Sequence, residues 1–301
     1  MGLGCNNFGR RLDLARTKDV VDAALDEGVT LLDTADIYGG SDSEVFLGRV
    51  LQGRRDRVVL ATKFGAPLAG NELAGARPET VHAALDASLT RLGMDHVDLY
   101  QLHFPDPEVP IADTLGALAE EVEAGRVREI GASNLTAEQL VEAEAVAAQG
   151  GPRFVSLQNE YSLLRREVEA DVLPACREAG VAFLPYFPLL SGILTGKYRA
   201  DAPLPEGTRI RGNERWEGLL TPELYAALER LDAFATRHGR ELIDLAFAYL
   251  LAEPAVASVI AGATRPEQVR RNVRAGTWSL DEAQRDEVRA LLDEVGTVAP
   301  A

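Results

Sequence analysis

Short apolar runs alternate with longer amphipathic segments along most of the chain. Each run is apolar through its length, which is typical of parallel strands that helices cover on one face and that fill a barrel interior on the other. The alternation predicts repeated strand–helix units rather than hairpins. The predicted strands are residues 29–33, 58–62, 97–102, 127–132, 154–158, 181–185 and 256–261, with residues 2–5 as the end of an eighth.

The segments between these strands carry residues that begin and end helices. Pro78 opens one amphipathic segment, and Gly93 follows its end in the position of a C′ glycine. Thr136 and Gln139 have the spacing of a capping box, and the pair Ser279 and Glu282 predicts the cap of the last helix. The predicted connections are therefore short.

Eight such units can close into a barrel or open into a doubly wound sheet. Residues 2–7 begin like a nucleotide-binding glycine motif, but they lack its third glycine and a following helix. We therefore predict an α/β fold, a (β/α)8 TIM barrel formed as a single domain over residues 1–301. The one long irregular stretch, 189–220, is expected to form a lid over the functional site.

Composition and charge narrow the class of partner. The 301 residues are 46% hydrophobic and 26% charged, and no apolar run reaches the roughly 18 residues that would suggest a membrane span. The formal net charge of −16 disfavours nucleic acid and anionic membranes, because phosphate would be repelled. Two cysteines and four histidines show no metal-ligand spacing, so no metal site is predicted. Without a signal-peptide layout, a cytoplasmic location is the default expectation.

Three ionisable residues follow predicted strands at the point where each strand ends. In a barrel, polar side chains at these carboxyl ends point into the site, and a buried charge there is costly unless it is paired. Taken singly, Asp33 could cap a turn, Lys63 could be solvated and His103 could be a satisfied wall residue. Tyr38 could likewise be an ordinary loop tyrosine. The combination favours a catalytic site, because one chemistry uses all four.

That chemistry is hydride transfer to a carbonyl. The developing alkoxide needs a proton, and a phenol with an ordinary pKa of about 10 donates it poorly. A neighbouring Lys63 ammonium would lower the pKa of Tyr38, and Asp33 would hold the lysine charged. His103 would polarise the carbonyl oxygen together with the tyrosine.

The segment LLDTADIYG, residues 31–39, resembles the first signature of the aldo-keto reductases, and Glu44 and Gly48 follow as in that family. Lys63 and His103 match the two strand ends that supply its lysine and histidine. The resemblance covers nearly the whole chain. It implies an enzyme that reduces aldehyde or ketone carbonyls to alcohols with NADPH, with Tyr38 as general acid, and it implies a monomer whose partner is a small carbonyl substrate.

The resemblance also assigns the cofactor side of the site. It matches Ser133, Asn134 and Gln158 to contacts with the nicotinamide carboxamide, and Tyr186 to the ring that stacks on the nicotinamide. The pyrophosphate loop and the adenosine segment would comprise Leu189, Gly192, Leu194 and Lys197, and Gly262, Thr264, Arg265, Gln268 and Asn272. A helix cap at residues 133–134 and a turn at residue 262 are ordinary alternatives that are compatible with binding.

Basic residues gather in these segments of an otherwise acidic chain. Lys197, Arg209 and Arg211 lie in the expected lid, and Arg265 begins a helix whose dipole also favours a phosphate. This clustering predicts NADP(H) rather than NAD(H). The residues expected to line an apolar substrate pocket follow the strands or lie in the lid; they are Asn7, Phe8, Phe64, Phe104 and Trp216.

Two other functions remain open from the sequence. A Schiff-base aldolase also uses a lysine at a barrel strand end, although Asp33 would keep Lys63 charged, which that chemistry does not want. A nucleotide-sensing regulatory subunit would keep the cofactor segments with little turnover.

The chain departs from the family at Phe187 and Ala261, where a serine and a proline are common.

Overall fold

The computed structural model describes residues 1–68 and 70–295; residues 69 and 296–301 lie outside this description. Within these ranges the strands form one parallel sheet in which consecutive strands are neighbours and β1 also pairs with β8. The strands are β1 Gly2–Gly4, β2 Leu31–Asp33, β3 Val59–Phe64, β4 Val97–Leu102, β5 Val127–Ser133, β6 Ser156–Gln158, β7 Ala182–Phe183 and β8 Ile260–Gly262. None of the described helices is long and apolar enough to cross a membrane.

Helices connect consecutive strands, as the sequence pattern predicts. Among the described residues, α7, α8 and α9 lie between β7 and β8, and α11 follows the last unit. The helices are α1 Leu14–Asp26, α2 Asp42–Val50, α3 Pro78–Leu92, α4 Ile111–Glu123, α5 Ala137–Ala148, α6 Val172–Ala179, α7 Glu214–Glu217, α8 Pro222–Arg237, α9 Leu242–Leu251, α10 Pro266–Ala275 and α11 Glu282–Val295.

Backbone hydrogen bonds between β7 and the approach to β8 close the sheet. The Phe183 amide donates to the Ala255 carbonyl at 2.7 Å, and the Ile260 amide donates to the Pro185 carbonyl at 2.9 Å. The predicted (β/α)8 barrel is therefore confirmed. The prediction of one domain over residues 1–301 stays a prediction.

Two details of the sequence prediction differ from the structure. The last strand is β8, residues 260–262, rather than 256–261, because the closing seam is made by isolated bonds and not by a continuous ladder. The last helix is capped by Asp281 and Gln284, whose backbone amides and side chains bond reciprocally at 2.8 and 3.0 Å. Ser279 stands too early for that role. The capping box at Thr136 and Gln139 is confirmed.

The barrel interior explains why polar residues meet at one end. Ala61, Leu99, Leu184 and Ile260 form a separate buried apolar cluster, with Leu31 packed against it. Side chains alternate between the faces of a strand, so residues two positions further along point to the same face. Residues 33, 63, 101 and 186 therefore form the next layer, towards the carboxyl ends of the strands. The apolar cluster is the floor beneath this polar layer.

Residues 189–220 lie against the carboxyl end of the barrel as an ordered segment. They include a 3-10 helix at Leu190–Thr195 and the short helix α7. Ile210 is completely buried, and the Arg209 guanidinium donates to Asn7 Oδ1 at 2.9 Å, which ties the segment to the loop after β1. We refer to residues 189–220 as the lid; that they cover the functional site stays a prediction.

Gly48 marks the closest approach of α2 to α3. A Cβ atom at this position would lie 2.3 Å from the Leu92 carbonyl oxygen, so we expect Gly48→Ala to destabilise the protein by about 1–3 kcal/mol through overpacking. Gly116 in α4 has nothing within 4 Å of its Cβ position, and Gly116→Ala should be neutral or stabilise by up to about 1 kcal/mol through its helix propensity. Urea unfolding of both variants checks this; equal effects would contradict the packing argument.

Candidate active site

Asp33 and Lys63, at the carboxyl ends of β2 and β3, form a buried ion pair. Lys63 is 1% exposed, and its Nζ donates to Asp33 Oδ2 at 2.7 Å and to the Thr34 carbonyl oxygen at 2.9 Å. Burial alone would lower the pKa of Lys63, but Asp33 and Tyr38 outweigh it and raise that pKa above its usual value. Lys63 is therefore an ammonium at neutral pH.

Tyr38 lies in the turn after β2, half-buried, with Lys63 Nζ 5.1 Å from the centre of its ring. Burial raises the pKa of Tyr38, and the Lys63 charge lowers it only in part, so that the net pKa is above its usual value. The lowered pKa expected from the sequence is wrong, because the cost of desolvating a phenolate exceeds the benefit from the ammonium. At neutral pH the phenol keeps its proton.

His103 follows β4 and stands opposite the tyrosine. The two ring centres are 5.9 Å apart and nearly perpendicular, and Phe104 stacks on the other side of the imidazole at 5.0 Å. Burial, with a further contribution from Lys63, lowers the pKa of His103 to about 3. The imidazole is therefore neutral, and its Nδ1 has no hydrogen-bond partner among the described residues. The structure thus brings the four predicted catalytic residues to one rim.

Asn134 joins the histidine to the expected nicotinamide contacts. Its Nδ2 donates to the His103 carbonyl oxygen at 2.9 Å, and its Oδ1 accepts from the Tyr186 hydroxyl at 2.7 Å. Asn134 has a φ of 61°, a left-handed conformation that asparagine tolerates better than most residues. The Ser133 hydroxyl donates to the Gln158 carbonyl oxygen at 2.6 Å. These four residues therefore lie together beside the catalytic group.

Gln101 is a site residue that the sequence argument missed. Its Nε2 donates to Asp33 Oδ1 at 3.2 Å, and the Nε2 of Gln158 donates to the same oxygen at 2.9 Å. The signal was present in the sequence, because Gln101 lies two positions beyond Leu99 on β4 and must point into the barrel with it. A polar amide in that layer needs a buried partner, and Asp33 supplies it.

Five cationic side chains from three parts of the chain lie near one another at the lid. Burial lowers the pKa of Lys197, and so do the neighbouring guanidinium groups of Arg11, Arg265, Arg271 and Arg209. A group of mutually repelling cations in a chain with a net charge of −16 fits a polyanionic ligand. Arg11, in the loop after β1, was not predicted, because nothing in the sequence shows that this loop meets the lid.

The remaining predicted cofactor residues lie in the lid or in the segment from β8 to α10. A Cβ at Gly192 would lie 3.0 Å from Lys197 Nζ, and one at Gly262 would lie 3.3 Å from Asn7 Nδ2. A side chain at either position would therefore crowd its neighbour. Arg265 stands at the N-terminus of α10. In the rest of the set, Thr264 donates to Gln268 Oε1, whereas Leu194 and Asn272 are buried and Leu189 is half-buried.

The predicted substrate residues divide into two groups. Phe8 and Phe64 have no exposed surface and belong to the hydrophobic core, where Phe64 packs on Tyr100, so neither offers a face to a ligand in this structure. Asn7 is buried beneath Arg209. Phe104 remains half-buried at the rim beside His103. The half-buried Trp216 of α7 contacts the Phe187 ring edge to face at 6.4 Å.

Comparison with known proteins agrees with this geometry. A model of the Aldo/keto reductase family matches residues 1–293. The chain belongs to the aldo/keto reductase family. Relatives include the aldo-keto reductase YhdN of Bacillus subtilis, 34% identical over 91% of this chain and 83% of that protein, and the probable aldo-keto reductase 1 of Glycine max, 30% identical over 96% and 84%. The uncharacterized oxidoreductase YrpG of Bacillus subtilis is 33% identical over 97% and 90%.

Family membership makes this protein an oxidoreductase that acts on carbonyl compounds. One departure from the family pattern is visible at the site. Phe187, where a serine is common, has a φ of 54°, a left-handed conformation that is unfavourable for an aromatic residue. Its ring lies between Tyr186 and Trp216, with ring centres 5.3 and 6.4 Å away. Phe187 thus connects Tyr186 with Trp216 of the lid.

The low pKa of His103 has a consequence for stability. The folded pKa is about 3, whereas an unfolded histidine has a pKa of about 6.5. The unfolded chain therefore binds more protons as pH falls below about 6.5, and the folded state loses stability in that window. We expect His103→Gln to reduce the fall in the free energy of unfolding between about pH 7.5 and 5.

Urea unfolding at both pH values measures this effect. His238→Gln is the matched control, because His238 is exposed at the end of α8, and it should keep the pH dependence of the unmodified protein. The same pH dependence in both variants would show that His103 is not held neutral by burial.

Proposed function

We propose that this aldo/keto reductase reduces aldehydes or ketones to alcohols with NADPH, using Tyr38 as the general acid. One observation carries the proposal: the Asp33–Lys63 ion pair lies beside a protonated Tyr38, across from a neutral His103. We further propose that the protein acts as a monomer and that its partner is a small carbonyl compound.

The nicotinamide would lie against Tyr186 and be held by Ser133, Asn134 and Gln158. When bound, NADPH supplies the hydride that reduces the carbonyl carbon. The clustered cations of the lid, together with Arg265, would hold its phosphates. This assignment is supported by the repulsion among these cations, which a polyanion would relieve.

The chain's own residues would act on the carbonyl oxygen. Tyr38 and His103 would both bind this oxygen, the first through its hydroxyl and the second through a neutral ring N–H. As negative charge develops, Tyr38 transfers its proton to the oxygen, and the Lys63 ammonium stabilises the phenolate that remains. Asp33 keeps the ammonium charged and in place. The preformed charges of Lys63 and Asp33, in a site with little water, would therefore lower the barrier to proton transfer.

A Schiff-base aldolase is disfavoured by the state of Lys63. That reaction needs a neutral amine, whereas the pKa of Lys63 is raised above its usual value. A regulatory subunit with little turnover would keep the same cofactor contacts. Turnover on a panel of aldehydes distinguishes it from the enzyme.

Replacing the proposed acid should separate chemistry from binding. We expect Tyr38→Phe to lower the kcat for NADPH oxidation with 4-nitrobenzaldehyde by at least about 100-fold, while the Kd for NADPH changes little. Tyr225→Phe on α8 is the matched control and should retain full activity. Stopped-flow and fluorescence titration measure the two quantities; substantial turnover by Tyr38→Phe would refute the role of this tyrosine.

Cofactor preference should depend on Arg265. We expect Arg265→Gln to weaken NADPH binding by about tenfold, the worth of one charge-assisted contact to the 2′-phosphate, and to leave NADH binding nearly unchanged. Arg274→Gln is the control, because Arg274 is exposed near the end of the same helix. Equal weakening of NADPH and NADH would contradict recognition of the 2′-phosphate by Arg265.

A further inference from the structure

An amide network lies beside the Asp33–Lys63 ion pair. Gln101 and Gln158 are 0% and 2% exposed, and both donate from Nε2 to Asp33 Oδ1, at 3.2 and 2.9 Å. The other carboxylate oxygen accepts from Lys63 at 2.7 Å. Asp33 is therefore held by three donors at once, two of which are neutral amides.

The hydrogen-bond directions in this network are fixed by Asp33. A carboxylate paired with an ammonium has only acceptor atoms, so both glutamines must turn their N–H groups towards it. The Oε1 of Gln101 then accepts the second N–H of Gln158 at 3.2 Å. The reverse orientation would place amide oxygens against the carboxylate oxygen, with two buried repulsions and no donor.

This arrangement leaves one polar side-chain atom of Gln158, Oε1, available to a ligand. Its nitrogen is used twice, by Asp33 and by Gln101, and its Oε1 accepts no hydrogen bond from the described residues. Its neighbour Ser133 already bonds to the Gln158 backbone, and β5 and β6 fix the position of both residues. The atom that Gln158 can offer to a ligand is therefore an acceptor.

We infer that Asp33, besides pairing with Lys63, sets the hydrogen-bond polarity of Gln158, so that the site reads the amino group of the nicotinamide carboxamide. This inference rests on the proposed function, in which Gln158 contacts that carboxamide. It gives Asp33 a second role as a positioning residue for the cofactor, with Gln101 as the support that holds the amide of Gln158 in plane. One carboxylate then orients both the acid group and the cofactor ring.

The test compares two dinucleotides that differ only at this group. The 3-acetylpyridine analogue of NADP⁺ has a methyl group in place of the carboxamide amino group and cannot donate to Gln158. We expect the unmodified protein to bind NADP⁺ about tenfold more tightly than the analogue, because the analogue leaves a buried acceptor without a partner. Calorimetry measures both Kd values without any turnover.

Variants then identify the residue that sets the polarity. In Asp33→Asn, the asparagine oxygen faces Lys63 and its amide N–H faces the glutamines, so the network reverses and the preference for NADP⁺ should fall to about twofold or less. Gln101→Met keeps the shape of the side chain and leaves the bond from Gln158 to Asp33, so it should retain most of the preference. Binding of 2′,5′-ADP, which lacks the nicotinamide, should be the same in all three proteins.

Several outcomes overturn the inference. A full preference in Asp33→Asn, or its loss in Gln101→Met alone, would show that Asp33 does not set the polarity. Equal binding of the two dinucleotides by an unmodified protein that turns over NADPH would overturn this inference and leave the proposed function intact. Failure of the unmodified protein to bind either dinucleotide or 2′,5′-ADP would overturn the proposed function as well.

A measurement on the unmodified protein covers the case in which Asp33→Asn does not fold. The side-chain amide hydrogens of Gln158 should be protected from exchange in ¹⁵N-resolved NMR, since both are bonded to buried acceptors. Exchange of these hydrogens at the rate of a solvated amide would overturn the inference.

Discussion

The buried ion pair between Asp33 and Lys63 is the interaction on which the rest of the site depends. Two charges that are almost completely removed from water are tolerable only when each finds its partner and its hydrogen bonds. Here the pair is completed by Thr34, Gln101 and Gln158. The Lys63 ammonium lowers the pKa of Tyr38 in part and contributes to the low pKa of His103, although burial is the largest cause for both residues. In the proposed function, this ammonium would stabilise the phenolate that Tyr38 leaves after it gives up its proton.

The barrel provides the place where such a pair can exist. Parallel strands with a period of two residues put an apolar cluster at one level and polar side chains at the next. The lid and the loop after β1 then bring cations to the same mouth, where Arg209 reaches across to Asn7. Negative cofactor phosphates and a reducible carbonyl would thus meet at this mouth of the barrel.

The sequence was sufficient for features that depend on local pattern. Strand periodicity and the order of motifs predicted the barrel. They also predicted that Asp33, Tyr38, Lys63 and His103 lie at one rim. It was insufficient where the outcome depends on distance and burial. The direction of the Tyr38 pKa depends on how strongly burial opposes Lys63. Phe8 follows β1 and Phe64 ends β3, as pocket residues could, yet their rings pack into the core. Arg11 could not be associated with the lid without the fold.

The charge on Lys63 is the most direct test of this account. Protein carrying ¹⁵N-labelled lysine can be titrated by NMR, with Lys63 assigned by its absence in Lys63→Met. The account predicts an ammonium signal for Lys63 that persists from neutral pH to above about pH 10.4, the ordinary lysine pKa, because Asp33 and Tyr38 raise its pKa. A neutral Lys63 amine at pH 7 would contradict the account, since it could neither form an ion pair with Asp33 nor stabilise the phenolate of Tyr38.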